Sequence, residues 1–304
     1  MTTASILNVL LALALAPLLP GVINRVKAFF AGRTGQPLLQ PYHDLFKLLR
    51  KGAVYSRTTS WVFRAGPAVG LAAAAACLTV LPLGGVPAPL RFPGDLLLLA
   101  YLMGLMRFTT MTAALDTGSA FEGMGASREA WYAMLAEPAL ILGLAALAVH
   151  TGSFSLSRML DGLALGELAG PGAPLLVLVS TAFAIVLLAE NSRIPVDDPT
   201  THLELTMIHE VMVLDHGGVD FGFIEYAACL KLWVFAALLT GVVLPPLTGW
   251  WPADSAIGVA LVLATAAAIG VVESVMARLK LVRVPQLLVA ASVLSMLALA
   301  LVLR

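Results

Sequence analysis

Glu190-Asn191-Ser192-Arg193-Ile194-Pro195-Val196-Asp197-Asp198-Pro199-Thr200-Thr201-His202-Leu203-Glu204, continuing to His209-Glu210, follows directly on an apolar run from Leu175 to Ala189. The run reads as a membrane span, and the charges begin where it ends. A charge at membrane depth costs about 2.5–3.5 kcal/mol on insertion scales, so such residues turn toward a partner or a water-filled cavity. This junction points to an all-α integral membrane protein with a polar, acidic loop on its cytoplasmic side.

The composition agrees. Of 304 residues, 60% are hydrophobic and 12% charged, and the mean hydropathy is +0.93. Soluble domains carry about 25% charged residues. A formal net charge of +0 speaks against a nucleic-acid partner, because phosphate binding needs a basic excess. Cys77 and Cys229 stand alone in apolar surroundings with no CxxC partner. No iron–sulfur or zinc site is therefore expected within this chain. The stretch Ile6 to Ile23 has no basic residue before it and no small-residue cleavage site, so it reads as a retained helix.

About 20 apolar residues cross a bilayer as a helix. Runs of that kind fall at about 4–23, 62–83, 95–115, 131–150, 174–190, 227–247, 256–275 and 286–303. An arrangement of about eight helices in a single transmembrane domain, residues 1–304, follows, without a visible internal repeat. Basic residues collect in cytoplasmic loops. Arg25, Lys27, Arg33, Lys47, Arg50, Lys51, Arg57 and Arg64 lie between the first two spans. Arg128, Arg193, Lys231, Arg278, Lys280 and Arg283 fall on the same side, and only Arg91, Arg158 and Arg304 on the other. Both termini are thus expected outside, with 24–61 and 190–226 as cytoplasmic-side loops.

Within the first loop, Pro41 can open a helix over 41–51. Leu45, Leu48 and Leu49 share one face, with Asp44, Lys47 and Lys51 on another. Such a helix lies along the membrane surface or offers a docking edge to a soluble partner, and periodicity does not separate the two. Tyr42, Asp44, Lys47, Arg50 and Lys51 are the docking candidates.

In the acidic stretch, Pro195 and Pro199 deny the backbone a continuous helix. Asp198 suits an N-cap with Pro199 at the first helical position, and Thr201-x-x-Glu204 offers a capping box. A helix over about 199–214 is expected, with His202, Thr206 and His209 on one side and Glu210 beside them. Three readings compete. In the blandest, the acids cap a solvated loop. A metal site is weakly supported, since His209-Glu210 lacks the second histidine of HExxH. The third is a proton-handling path of carboxylates and imidazoles. Glu137 in the fourth span, Glu190 at the end of the fifth and Glu273 in the seventh favour that third reading. So do Asp116, Glu122 and Glu129 in the loop expected after the third span. So many acids toward one side are difficult to account for by pairing alone, although Arg107 can neutralise one of them.

Ala189 to Glu210 resembles the signature of the membrane anchor subunit of formate hydrogenlyase and related energy-converting [NiFe] hydrogenases, a family similar to the eight-helix subunit 1 of respiratory complex I. Three other blocks carry the same likeness: Gly35 to Lys51, Gly118 to Glu129, and Ala277 to Pro285. The resemblance covers essentially the whole chain. It implies a subunit without redox centres of its own in a bacterial or archaeal cytoplasmic membrane. Members of this family hold a [NiFe]-hydrogenase-like large subunit and iron–sulfur small subunits against antiporter-like membrane subunits, so [NiFe] and iron–sulfur clusters belong to the complex. By motif position, Glu129, Glu190, Arg193, Asp197, Asp198, Glu204 and Glu210 would line a cavity and an acidic passage that carries protons or sodium ions. His209 accompanies Glu210, and Glu137 joins on position alone. Complex I members carry Pro-Phe-Asp in this loop and a Lys-Glu pair ending the first. Here Pro195-Val196-Asp197 and Lys51-Gly52 stand instead, and the Thr-Thr-His-Leu-Glu-Leu-Thr run is of hydrogenase type. A quinone-free complex is favoured over the quinone-cavity subunit of an NADH:quinone oxidoreductase and over a purely structural anchor.

Overall fold

The computed structural model describes residues 3–163, 170, 172–197, 207–243 and 248–304. Its described residues form helices and no strands, with 75% of the chain helical. In chain order these are α1 (Thr3–Leu15), α2 (Leu18–Phe30), α3 (Gln40–Leu49), α4 (Trp61–Val80), α5 (Asp95–Asp116) and α6 (Ala120–Thr151). They are followed by α7 (Leu156–Asp161), α8 (Ala173–Glu190), α9 (His209–Met212), α10 (Gly218–Val243), α11 (Trp251–Val275) and α12 (Val284–Val302). Seven of them are long and apolar enough to span a membrane, α12 together with the turn Leu281–Arg283 that leads into it. The pair α1–α2, bent by 48°, makes an eighth when counted as one broken span. The all-α membrane-protein expectation holds, with seven spans, or eight on that count.

The bend in the first span follows from its prolines. Pro17 has no N–H for the Leu13 carbonyl, so the ladder breaks there. Tyrosine hydroxyls fill the gap: Tyr226 donates to Leu13 O at 2.9 Å and Tyr42 to Ala14 O at 2.6 Å. In a membrane such freed carbonyls need a protein donor.

Small residues let the spans approach closely. Gly270 on α11 lies against Ile23 and Val26 of α2, and Gly143 on α6 against the Phe183 ring of α8. Ser295 of α12 donates to Ala139 O of α6 at 2.7 Å. Trp233 of α10 and Phe63 of α4 are among the largest fully buried side chains of the bundle.

Three boundaries differ from expectation. The segment read as a loop after the third span is helix: Asp116 ends α5, while Glu122 and Glu129 lie in the first turns of the 32-residue α6. Polarity masked that start, because a helix packed among other loops needs no apolar face toward lipid. The sixth span begins earlier, at Gly218. The helix expected over about 199–214 is not continuous, since Met207 and Ile208 are non-helical and α9 covers only His209–Met212. Asp197 accounts for its start: its Oδ2 accepts from the N–H groups of Ile208 at 3.2 Å and His209 at 3.4 Å. Asp198 with its expected capping role, His202, Glu204 and Thr206 lie outside the described residues.

Candidate functional site

At the end of the bundle carrying the acidic loop, a cavity of about 220 Å3 lies among α2, α5, α6, α8, α9 and α10. Its apolar walls include Pro20, Met106, Met212 and Leu232. Its ionisable lining is Arg107, Glu129, Glu190, Arg193, His209, Glu210, Glu225 and Lys231. Each wall places its group by helix geometry: Glu190 is the last residue of α8, Arg107 sits in the second half of α5, and on α10 Glu225 stands in the first half and Lys231 at the middle.

Two chains of charge meet there. In one, Lys231 Nζ approaches Glu190 Oε2 at 2.8 Å, Arg107 reaches Glu190 Oε1 at 3.3 Å, and Arg107 also reaches Glu137 Oε1 at 3.0 Å. Arg107 and Glu190 therefore face both this cavity and a second one of about 130 Å3, which Glu137 lines. In the other, His209 lies between two carboxylates, Nε2 at 3.1 Å from Glu129 and Nδ1 at 3.5 Å from Asp197. Asp197 is held from its far side by Arg278 at 3.0 Å. Burial alone would push the His209 imidazole down, but Glu129 and the Asp197 hydrogen bond outweigh it and raise its pKa above the ordinary histidine value. An imidazole between two buried acids is a group that can accept a proton when neutral and pass one on when charged.

A third group closes the wall. Glu273 on α11, its side chain fully buried, sits 2.8 Å from Lys27 Nζ and 3.5 Å from Arg193. Both contacts are close charge pairs without aligned hydrogen bonds. They tie α2, α11 and the acidic loop together, as does the Leu279 N–H donated to Pro195 O at 2.9 Å.

Of the sequence candidates, the cavity gathers Glu129, Glu190, Arg193, His209 and Glu210, with Asp197 immediately behind His209 and Glu137 beyond Arg107. Asp198 and Glu204 fall outside the described residues. Asp116 and Glu122 have other work. Asp116 accepts from Ser60 N at 2.6 Å and Phe63 N at 3.3 Å, capping α4, and Glu122 accepts from Asp215 N at 3.2 Å. The expectation that pairing could not account for the acids needs correction: Glu137, Glu190, Asp197 and Glu273 all have cations within 3.5 Å. The bases come from α2, α5, α10 and the segment after α11, far apart in sequence, so no local pattern announced them. Glu225 and Lys231 were missed as lining residues. Their signal is charge within an apolar helix: Glu225 was hidden because the span was expected to start at 227, and Lys231 because it was counted among the cytoplasmic-side basic residues.

Asp44 and Lys47 on α3, and Arg50 and Lys51 just past its end, are exposed, with Arg50 stacked 3.9 Å over the Phe46 ring. Tyr42 is half-buried and donates its hydroxyl to Ala14 O. Leu48 and Leu49 face Gly222 of α10.

A family model described as NADH dehydrogenase matches residues 2–303. Formate hydrogenlyase subunit 4 of Escherichia coli (strain K12) is 35% identical over 240 residues, covering 79% of this chain and 76% of its own length. Hydrogenase-4 component C of the same organism is 33% identical over 233 residues, covering 77% and 72%. An NADH-quinone oxidoreductase subunit of Rubrobacter xylanophilus is 29% identical over 264 residues, covering 80% and 74%. The fold also matches a chain in the structure of the membrane-bound sulfane sulfur reductase, an archaeal respiratory membrane complex. The TM-score is 0.81 at 22% identity, with 97% of this chain and 98% of that one covered. These relatives are membrane subunits of hydrogenase-type and complex I-like redox complexes, and the chain belongs to the NADH dehydrogenase family.

Proposed function

We propose that this chain is the coupling and anchoring subunit of a quinone-free, hydrogenase-type complex. It sits in a bacterial or archaeal cytoplasmic membrane with both termini outside. A [NiFe]-hydrogenase-like large subunit and iron–sulfur small subunits dock over the acidic loop and the exposed charges of α3, and antiporter-like membrane subunits lie alongside. Metal clusters stay with those partners.

The observation that carries this reading is the 220 Å3 cavity lined by eight acidic, basic or imidazole side chains and continued past Arg107 to Glu137. Electron transfer in a docked arm changes charge at the cavity mouth. Glu129, His209 and Asp197 take up or release a proton in response, and the Glu190–Arg107–Glu137 chain carries the shift to membrane depth. Protons, or sodium ions held by the same carboxylates, then move as compensating charge.

Glu190→Gln and Glu210→Gln test it. Each is expected to leave the chain assembled with its peripheral arm while charge translocation falls at least about tenfold, the range for losing a positioned proton-transfer group. The second reading, a structural anchor, draws on the close pairing of Glu190 and Glu273 with cations. Undiminished translocation in both variants would favour it.

A further inference from the structure

Past the end of α2 lies a pocket that the coupling site does not use. Its volume is about 410 Å3, and Lys27, Phe30, Arg33, Gly35 and Ser274 are among its walls. Where α2 ends, the N–H groups of Gly32 and Arg33 donate to Phe29 O at 3.1 Å and Ala28 O at 2.9 Å, which turns the chain back on itself. Arg25 pins that turn by donating to Thr34 O at 2.6 Å, and Gly35 lies directly against Ala28. The pocket is therefore held open by bonded backbone.

Its depth in the membrane narrows the class of ligand. Trp250 and Trp251, both exposed, open α11 at its far end, where interfacial aromatic residues collect. At 1.5 Å of rise per residue, Ser274 follows Trp251 by about 35 Å. A hydrocarbon core is about 30 Å thick, so the pocket lies just beyond it, at headgroup depth. The rim is apolar. Phe29, 80% exposed, meets the Phe30 ring edge-on at 5.9 Å, and Val271 and Val275 are exposed one turn apart on α11.

Charge narrows it further. The walls carry two cations and no acid. Glu273 lies 2.8 Å from Lys27 and 3.5 Å from Arg193, so one carboxylate faces two cations and that cluster keeps a positive charge. The Arg33 side chain is exposed and makes no hydrogen bond or ion pair with any described residue. Ser274 already donates its hydroxyl hydrogen to Gly270 O at 2.6 Å, so toward the pocket it offers only an acceptor.

We infer that this pocket holds the headgroup of an anionic phospholipid bearing a free alcohol, of the phosphatidylglycerol type, on the acidic-loop side of the membrane. Arg33 takes the phosphodiester in its planar fork, Lys27 adds a point charge, and a headgroup hydroxyl donates to Ser274 Oγ. The acyl chains run past Phe30 and along Val275 and Val271. A zwitterionic headgroup would set its ammonium against Lys27 and Arg33, and free phosphate would leave the apolar rim uncovered.

The whole complex tests the site in phosphatidylcholine vesicles that contain phosphatidylglycerol with a photoreactive group on its acyl chain near the glycerol. Irradiation is expected to label the peptides bearing Phe29 and Phe30 or Val271 and Val275. Unlabelled phosphatidylglycerol should compete, whereas phosphatidylcholine and inorganic phosphate should not. Arg33→Gln should lower the labelling about fivefold, the share of one basic side chain at an anionic surface, and Arg33→Lys should lower it less. Phosphatidylmethanol, with the same charge and no headgroup hydroxyl, should compete about two- to fivefold more weakly, the share of one hydrogen bond. Ser274→Ala should erase that difference.

Equal competition by phosphatidylcholine, or labelling indifferent to Arg33→Gln, would overturn the site. Displacement by inorganic phosphate would reassign it to free anions, and equal competition by phosphatidylmethanol would remove the alcohol from the assignment. Labelling that appears only after the peripheral subunits are stripped away would give the surface to a protein partner. The readout is independent of charge translocation, so the lipid site and the coupling role fail separately.

Discussion

Tyr226 on α10 donates its hydroxyl at 2.9 Å to Leu13 O, the carbonyl that Pro17 strips of its backbone donor four residues later. One oxygen atom thus compensates for the break that turns the first span by 48°. Tyr226→Phe keeps the ring and leaves the carbonyl unpaired. The cost of such an orphan is about 1–3 kcal/mol, so the thermal midpoint of the purified complex should fall. An unchanged midpoint would mean that water or lipid headgroups serve the carbonyl equally well.

The two polar loops meet at Gly218, whose φ of +57° suits glycine and whose missing Cβ makes room for the Gly52 carbonyl. Gly218→Ala is expected to pry the loops apart, since this conformation costs an L-residue about 1–2 kcal/mol before any clash. Limited proteolysis in the membrane would reveal faster cleavage around residues 50–60. Gly217→Ala, with open space around its Cβ, serves as the silent control.

Two histidines give opposite pH dependences. His209 is pulled down by burial but held above its ordinary range by Glu129 and Asp197, so the folded chain binds its proton more tightly than the unfolded chain does. That stabilisation is complete below the ordinary histidine pKa and is lost as pH rises through the raised value. His216, its ring stacked 3.9 Å from Phe63, is pushed below its ordinary value by burial, with Asp220 and Asp215 opposing. Its contribution is present above the ordinary pKa and lost as pH falls through the lowered one. Thermal unfolding against pH should therefore decline on both sides. His209→Gln should flatten the alkaline limb, and His216→Gln the acid limb. Limbs unaltered by these changes would assign them to other groups.

Arg107 bridges Glu137 and Glu190 while only 7% exposed. Arg107→Leu leaves Glu190 to Lys231, 2.8 Å away, and takes the cation from Glu137, so its cost should fall below the about 3–5 kcal/mol of breaking an isolated buried pair. Adding Glu137→Gln to that variant should recover part of the loss, a coupling that thermal unfolding of the single and double variants measures. Strictly additive losses would show that the bridge does not act as a unit.

Much of this was legible in the sequence. Apolar runs located the spans because a bilayer sets their length, and the charge-rich stretch behind Leu175–Ala189 located the site because charges near lipid are rare. What remained hidden was tertiary. Lys27 finds Glu273 from the other end of the chain, and Arg278 finds Asp197 across the α11–α12 connection. No periodicity encodes such meetings. Polar helix starts failed for a related reason: Glu122 and Glu129 face protein and water, so the first turns of α6 carry no apolar stripe. The segment 198–206, which bears Asp198 and Glu204, lies outside the described residues, and for it sequence speaks alone.

Glu129 is the simplest lever on the whole proposal, because His209, 3.1 Å away, is its near partner in the cavity. The decisive quantity is the charge moved per electron pair by the reconstituted complex carrying Glu129→Gln in sealed vesicles. A coupling role predicts that redox turnover continues while the charge moved per pair drops sharply. A ratio equal to that of the unaltered complex would contradict it and leave a membrane anchor whose charges serve only to hold its helices together.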